Sequence, residues 1–189
     1  MKWLLYFIGA PGSGKTTLVH ELTKDLEYTE YTYPFAHIVY KTNPVAIEIG
    51  GKRQPFGGTD ALSMGVQGAV IEWLRDREDP SYILAEGDRL ATASFFRKVL
   101  EVGYGIHLVH VDTPADVAAD WRAQRADARG MHLQNQAWVR GRATKCQNLA
   151  EMFDASIVSS MDLQERVQTV LSFCDPVIQA LGRSDRVTT

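Results

Sequence analysis

Eight consecutive residues carry the most specific chemistry in the chain: Gly9-Ala10-Pro11-Gly12-Ser13-Gly14-Lys15-Thr16 fits G-x-x-x-x-G-K-[ST] at every fixed position. Glycines let a backbone turn tightly, so that successive N–H groups converge on a phosphate chain. The start of the following helix adds its partial positive charge. In such a loop Lys15 reaches the β- and γ-phosphates, the Thr16 hydroxyl coordinates Mg²⁺, and Thr17 completes the run beside the phosphates. The expected ligands are a nucleoside triphosphate, ATP, and Mg²⁺. A glycine-rich turn that binds nothing is the bland alternative, and the flanks argue against it. Trp3 to Ile8 is an apolar run of buried-strand length, and Thr17 to Leu26 reads as a helix with Leu18, Val19, Leu22 and Leu26 on one face.

A second constellation, Glu86-Gly87-Asp88-Arg89, follows the apolar run Tyr82 to Ala85. One acid, Glu86 or Asp88, could hold Mg²⁺ while the other orients or deprotonates an acceptor, and Arg89 could contact phosphate or acceptor. The competing reading is a tight turn in which Asp88 caps the next helix. Asp60 is another candidate base. It follows the Gly57-Gly58 pair, which allows close approach to a ligand, but Thr59 and Asp60 are equally natural helix-capping residues. Lys52 and Arg53, in the glycine-rich loop before them, could touch acceptor phosphates or simply be solvated.

The third group is cationic: Arg122, Arg125, Arg129, Arg140, Arg142 and Lys145, opposed locally by Asp127. A hinged helical pair carrying arginines can close over a triphosphate, expel water and stabilise charge on the transferring group. The planar guanidinium suits phosphate oxygens. The same cluster could follow a polynucleotide backbone. Trp121, Trp138 and His132 lie among these cations and could stack on a base, although tryptophans on helix faces are more often core.

A phosphate loop alone does not specify phosphoryl transfer. The chain has no N-K-x-D guanine-reading motif, and Asp127-Ala128-Arg129-Gly130 matches D-x-x-G only by letters, in a charged helix end. The run into Glu86 does not end in the Asp-Glu pair usual in motor ATPases.

These residues need a scaffold. Strands are expected over Phe35–Lys41, Val45–Ile49, 106–111 and 156–159, with Glu27 to Thr32 as a connection. Helices are expected from Thr59-Asp60 to about Arg77, from Thr92 to Val102, from Ala115 to Ala128, from about 136 to Phe153 and from Asp162 to Leu181. Alternation of this kind implies an α/β fold, a mainly parallel sheet flanked by helices on both faces. Its ligand sits beyond the carboxyl ends of the strands. With 189 residues, 45% of them hydrophobic, the chain is expected to form one domain over 1–189, with an arginine-bearing helical lid at about 115–150. A net charge of −3 gives no global signature of nucleic-acid binding. Two cysteines, Cys146 and Cys174, suggest a reducing compartment, and no segment reads as a signal peptide or membrane span, so a cytoplasmic location is expected. Nothing in the sequence sets an oligomeric state.

With these pieces together the chain resembles the P-loop nucleoside and nucleotide kinase superfamily over nearly its full length. Within it, the chain is similar to bacteriophage 5-hydroxymethyluridine DNA kinases. The narrower likeness lies in Phe56-Gly57-Gly58-Thr59-Asp60-Ala61-Leu62-Ser63-Met64 and Glu86-Gly87-Asp88-Arg89. It continues from Arg122 and Arg125 through Gln136, Trp138, Gly141-Arg142, Thr144-Lys145 and Asn148-Leu149. The resemblance implies a P-loop NTPase three-layer fold and an ATP–Mg²⁺ phosphotransferase acting on a hydroxyl, with Asp60 or Glu86/Asp88 handling the proton. It also implies an acceptor in DNA carrying a modified base, in the host cytoplasm. Gly58, Thr59, Asp60, Lys52, Arg53, Arg142 and Lys145 would then contact that acceptor. The acidic net charge departs from a DNA-binding pattern, so the basic lid and Lys52/Arg53 would have to supply that surface. The rival readings are a kinase of a free, thymidylate-like nucleoside monophosphate and a nucleotide-dependent switch.

Overall fold

The computed structural model describes residues 2–51, 57–79 and 82–173. Among them seven strands form one sheet whose centre is β1 (Lys2–Ile8). Leu4 to Ile8 are all buried, as a strand covered on both faces requires. The sheet order is β2-β3-β4-β5-β1-β6-β7, with β2 Tyr28–Tyr31, β3 His37–Tyr40, β4 Ala46–Ile49, β5 Tyr82–Glu86, β6 Tyr104–Val111 and β7 Ser156–Val158. The five strands β4, β5, β1, β6 and β7 pair in parallel.

Successive residues of β1 point to opposite faces and so feed two separate cores. Leu4, Tyr6 and Ile8 pack with α2 (Gln67–Arg75), α3 (Ala93–Glu101) and the C-terminal part of α5 (Gln136–Met152) through Val70, Leu74, Phe95, Phe96 and Leu149. Leu5 and Phe7 pack with α1 (Lys15–Thr23) and α6 (Leu163–Phe173) through Leu18, Val19, Leu22, Val167 and Val170. Three layers result, with α4 (Ala115–Asp127) and α5 leaving the strand ends as a helical pair.

Three local expectations are corrected, and the antiparallel β3 is an addition to them. Glu27 to Thr32 is not a plain connection: Tyr28–Tyr31 forms edge strand β2, whose four residues are all exposed and so lack the alternation that betrays a half-buried strand. β3 runs antiparallel to both β2 and β4, because the short Lys41 to Val45 link cannot carry the crossover that a parallel pair needs. α1 starts at Lys15 and ends at Thr23, whose hydroxyl donates back to the Val19 carbonyl at 2.7 Å. The helix expected from Thr59 to Arg77 is broken. A single 3₁₀ turn at Thr59–Ala61 gives way to an extended Leu62 and to Gly65 at φ +84°, and α2 begins only at Gln67. Leu62, Val66, Val70 and Leu74 are buried nevertheless, so the periodicity marks the core face without a continuous helix. The expected end of the last helix, at Leu181, lies outside the described residues.

Candidate active site

Beyond the carboxyl ends of β1 and β5, between them and the α4–α5 pair, lies a cavity of about 670 Å³. Gly9, Pro11, Gly12, Gly14, Lys15, Thr16 and Thr17 form one wall of it, and Asp60, Glu86, Asp88 and Arg89 another. Arg125, Trp121, Trp138 and Arg142 come from the helical pair. The phosphate loop, Asp60 and the Glu86–Arg89 segment thus meet in one volume, joined from the cationic group by Arg125 and Arg142.

The loop is held from below. Gly12 and Gly14 adopt φ of +85° and +88°, and a Cβ on Gly12 would come within 2.6 Å of the Ala118 carbonyl oxygen, so only glycine lets α4 pack this closely. The Ser13 carbonyl accepts from the Thr113 hydroxyl at 3.0 Å and from Arg166 Nη1 at 2.8 Å. Arg166 Nη2 also donates to the Thr113 hydroxyl at 2.9 Å, and its Nε to the Ser160 carbonyl. Burial pushes the Arg166 pKa down, and these oxygens satisfy its donors. Arg122 Nη1 donates to the Pro11 carbonyl at 2.6 Å, so this arginine grips the loop from outside while Arg125 faces the cavity. Lys15 Nζ donates to the carbonyls of Gly9 and Ala10 at 2.9 and 3.1 Å and to Ser13 Oγ at 3.4 Å.

Glu86 is 4% exposed and accepts from the Thr16 hydroxyl at 2.9 Å. Burial raises its pKa to about 7 against the lowering effects of Lys15 and the Thr16 bond, with Asp60 and Glu48 adding to the rise. Gly58 makes this approach feasible: at φ +58°, a Cβ there would lie 2.5 Å from Glu86 Oε1. The Thr16 hydroxyl and Glu86 carboxylate are hard oxygen donors beside an ammonium and a ring of backbone amides, a set that fits Mg²⁺ carried by a triphosphate.

Asp60 does not cap its own turn. Its Oδ1 accepts from the backbone N–H of Asp88 at 2.8 Å and of Arg89 at 3.1 Å, shaping the Glu86–Arg89 segment. The Tyr6 hydroxyl completes that clasp, donating to the Gly87 carbonyl at 3.0 Å and lying 3.2 Å from the Thr59 hydroxyl. Asp88 does not cap α3 either; Thr92 does, accepting from Phe95 N at 3.1 Å. The Asp88 carboxylate pairs instead with Arg142 and, at 2.7 Å, with Lys145, tying α5 to the end of β5. Arg89 lines the cavity, its Nη2 3.4 Å from the Asp60 carbonyl and its Nε without a partner among the described residues.

Trp121 and Trp138 line the cavity rather than the core, and Trp138 is 43% exposed. Arg129, Arg140 and His132 are exposed. Lys52, Arg53 and Phe56 lie outside the described residues. Thr113, Arg166 and Tyr6 escape a reading by motif. The signal for Arg166 is a cation inside the helical stripe Leu163, Val167, Val170, a position where an unpaired charge would be costly.

Among the described residues no helix is long and apolar enough to cross a membrane. The family model described as P-loop Nucleotide Kinase3 matches residues 1–169. No curated protein matches the chain. Among solved structures, the chain is similar to an unliganded sugar kinase from Janibacter sp. HTCC2649, at 16% identity and a TM-score of 0.52, over 96% of this chain and 98% of that one. It is also similar to a gluconokinase from Sinorhizobium meliloti 1021, at 16% identity and a TM-score of 0.50, over 96% and 92%. At such identities the likeness is one of fold.

Proposed function

The chain belongs to the P-loop Nucleotide Kinase3 family and is a P-loop phosphotransferase; we propose that its donor is ATP and its acceptor the hydroxymethyl group of 5-hydroxymethyluracil in DNA. The observation that carries the donor half is the Thr16–Glu86 pair, set beside Lys15 and facing Arg125 in one cavity. The acceptor half is supported by the sequence blocks around Gly58-Thr59-Asp60 and Glu86-Gly87-Asp88-Arg89. It is supported as well by exposed Arg129, in the turn between the two helices, and Arg140 on α5, cations outside the cavity that suit a phosphodiester backbone and that a free nucleotide does not need.

In this reading the loop amides and Lys15 hold the triphosphate, Lys15 exchanging the Gly9 and Ala10 carbonyls for phosphate oxygens. Thr16 and Glu86 would hold Mg²⁺, which would supply charge neutralisation to the triphosphate. Arg125 and Arg89 face the transferring group, and Arg122 keeps the loop in register. The acceptor oxygen forms the new bond to the γ-phosphorus as the bond to the bridging oxygen breaks, and ADP departs. Asp60 takes the acceptor proton through Oδ2, which no bond among the described residues engages. Asp88, already paired twice, holds the α4–α5 lid closed through Arg142 and Lys145.

The test uses γ-labelled ATP with Mg²⁺ and three acceptors side by side: DNA carrying 5-hydroxymethyluracil, ordinary DNA, and free nucleoside monophosphates. Label in the modified DNA is the expected result. Label only in a free nucleotide overturns the acceptor, and ATP consumption indifferent to every acceptor overturns the transfer.

A further inference from the structure

An aromatic ring in a cavity otherwise lined by charge and backbone needs a reason. The cavity's two tryptophans stand at different ends. Trp121 lies by the phosphate loop, where a Cβ on Gly14 would meet it at 3.5 Å, and Arg166 stands 5.8 Å from its ring centroid. Trp138 lies on the side of Asp88. Its neighbour one turn on, Arg142, pairs with Asp88 and sits 5.3 Å from the Trp138 ring centroid. Lys145, a further turn along, reaches the same carboxylate, so one stripe of α5 presents ring, guanidinium and ammonium to the end of β5.

The ring is preset. Asn135 Oδ1 accepts from the N–H groups of Ala137 and Trp138 at 2.8 and 3.2 Å, fixing the first turn of α5 beneath it. Trp138 nevertheless stays 43% exposed, although the aromatic cluster around Phe95, Phe96 and Phe153 is close-packed elsewhere. An indole held in place, backed by a planar cation and left open to a cavity is a stacking platform for a flat ring.

Resting on the DNA reading above, we infer that Trp138 is the platform on which the acceptor base stacks after leaving the duplex. A cavity of about 670 Å³ that must also admit phosphates has room for a nucleotide and none for a base-paired helix. The target base therefore swings out, and an aromatic face offsets part of the stacking that it gives up. Arg142 on the ring and Asp88 beyond it place the base at the end of the cavity that Asp60 lines.

The test is binding of a labelled oligonucleotide with one 5-hydroxymethyluracil, in the presence of Mg²⁺ and an unreactive ATP analogue. Trp138→Ala should weaken it by roughly tenfold or more, as loss of one base-stacking contact does. Trp138→Phe should stay within about threefold of wild type and Trp138→Leu should behave like alanine, because a ring and not bulk is needed. An abasic oligonucleotide should bind wild type as weakly as the modified one binds Trp138→Ala. Equal affinity across the variants, leucine as good as phenylalanine, or an abasic site bound as well as the modified base overturns the platform. The transfer assay separates this from the DNA reading. Ring-dependent binding with label passing only to a free nucleotide retires DNA as the acceptor and with it the base swung from a duplex, leaving Trp138 as a stacking surface for a nucleotide base.

Discussion

The Thr16 hydroxyl donates to Oε1 of Glu86 at 2.9 Å, joining residues 70 positions apart and bringing the phosphate loop against the end of β5. Burial of Glu86 at this bond pushes its pKa up to about 7. A buried carboxyl of this kind favours its protonated form in the folded state.

The pH dependence of the metal-free protein follows. Between the ordinary value of 4.5 and about 7, the folded state holds a proton on Glu86 that the unfolded state releases. Stability from this group is therefore fully present below 4.5 and is lost as pH rises through 7, on the order of 3 kcal/mol in all. Urea unfolding of wild type and Glu86→Gln across that window should show the difference, the variant having the flatter profile. Parallel profiles would mean that Glu86 is ionised throughout.

Asp60 carries a structural and a chemical duty that two substitutions separate. Asp60→Asn keeps an oxygen for the N–H groups of Asp88 and Arg89, so stability and ATP binding should hold while transfer falls by roughly 10²-fold or more. Asp60→Ala should in addition lose about 1–3 kcal/mol of stability, since two backbone donors lose their partner. Unchanged turnover in Asp60→Asn would leave only the structural duty.

Asp88→Asn releases Arg142 and Lys145 together. All three side chains are about one-third exposed, so the cost in stability should stay under about 1 kcal/mol. Cleavage by a protease at the 128–135 turn should accelerate, and turnover should fall as the helical pair opens. An unaltered cleavage rate would show that the two ion pairs do not hold the pair shut.

Arg166→Met removes the donors that hold Ser13, Thr113 and Ser160. Loss of charged hydrogen bonds at a buried site should cost on the order of 2–3 kcal/mol and weaken ATP-analogue binding by tenfold or more. Arg166→Lys should not restore binding, because an ammonium cannot bond the three oxygens as a planar fork does. Calorimetric titration of wild type and both variants checks this.

The phosphate loop, the parallel core and the approach of the Glu86–Arg89 segment to that loop are legible in the sequence, because each is a local pattern or follows from strand alternation, but which of Glu86 and Asp88 meets Thr16 is not. The break before α2 is not. Leu62, Val66, Val70 and Leu74 keep helical spacing while Gly65 turns the chain, and spacing alone does not report φ. The roles of Asp60 and Asp88 in holding loops escape for a different reason: their partners lie 28 and 57 positions away. Arg166 reaches across 153 positions, and only the cost of burying its charge hints at it.

β1 also bears on how the protein is made. It is the central strand, yet both strands that pair with it, β5 and β6, leave the ribosome later. At ordinary translation rates Leu4-Leu5-Tyr6-Phe7-Ile8 therefore waits, apolar and unpaired, for roughly 4–15 s until Tyr82–Glu86 emerges. The antiparallel β2-β3-β4 meander can form in that interval without it. The floor of the phosphate loop is completed only when Arg166 arrives, so a nascent chain that ends before it should hold nucleotide more weakly. Ribosome-stalled chains ending before and after Arg166 should differ in nucleotide capture.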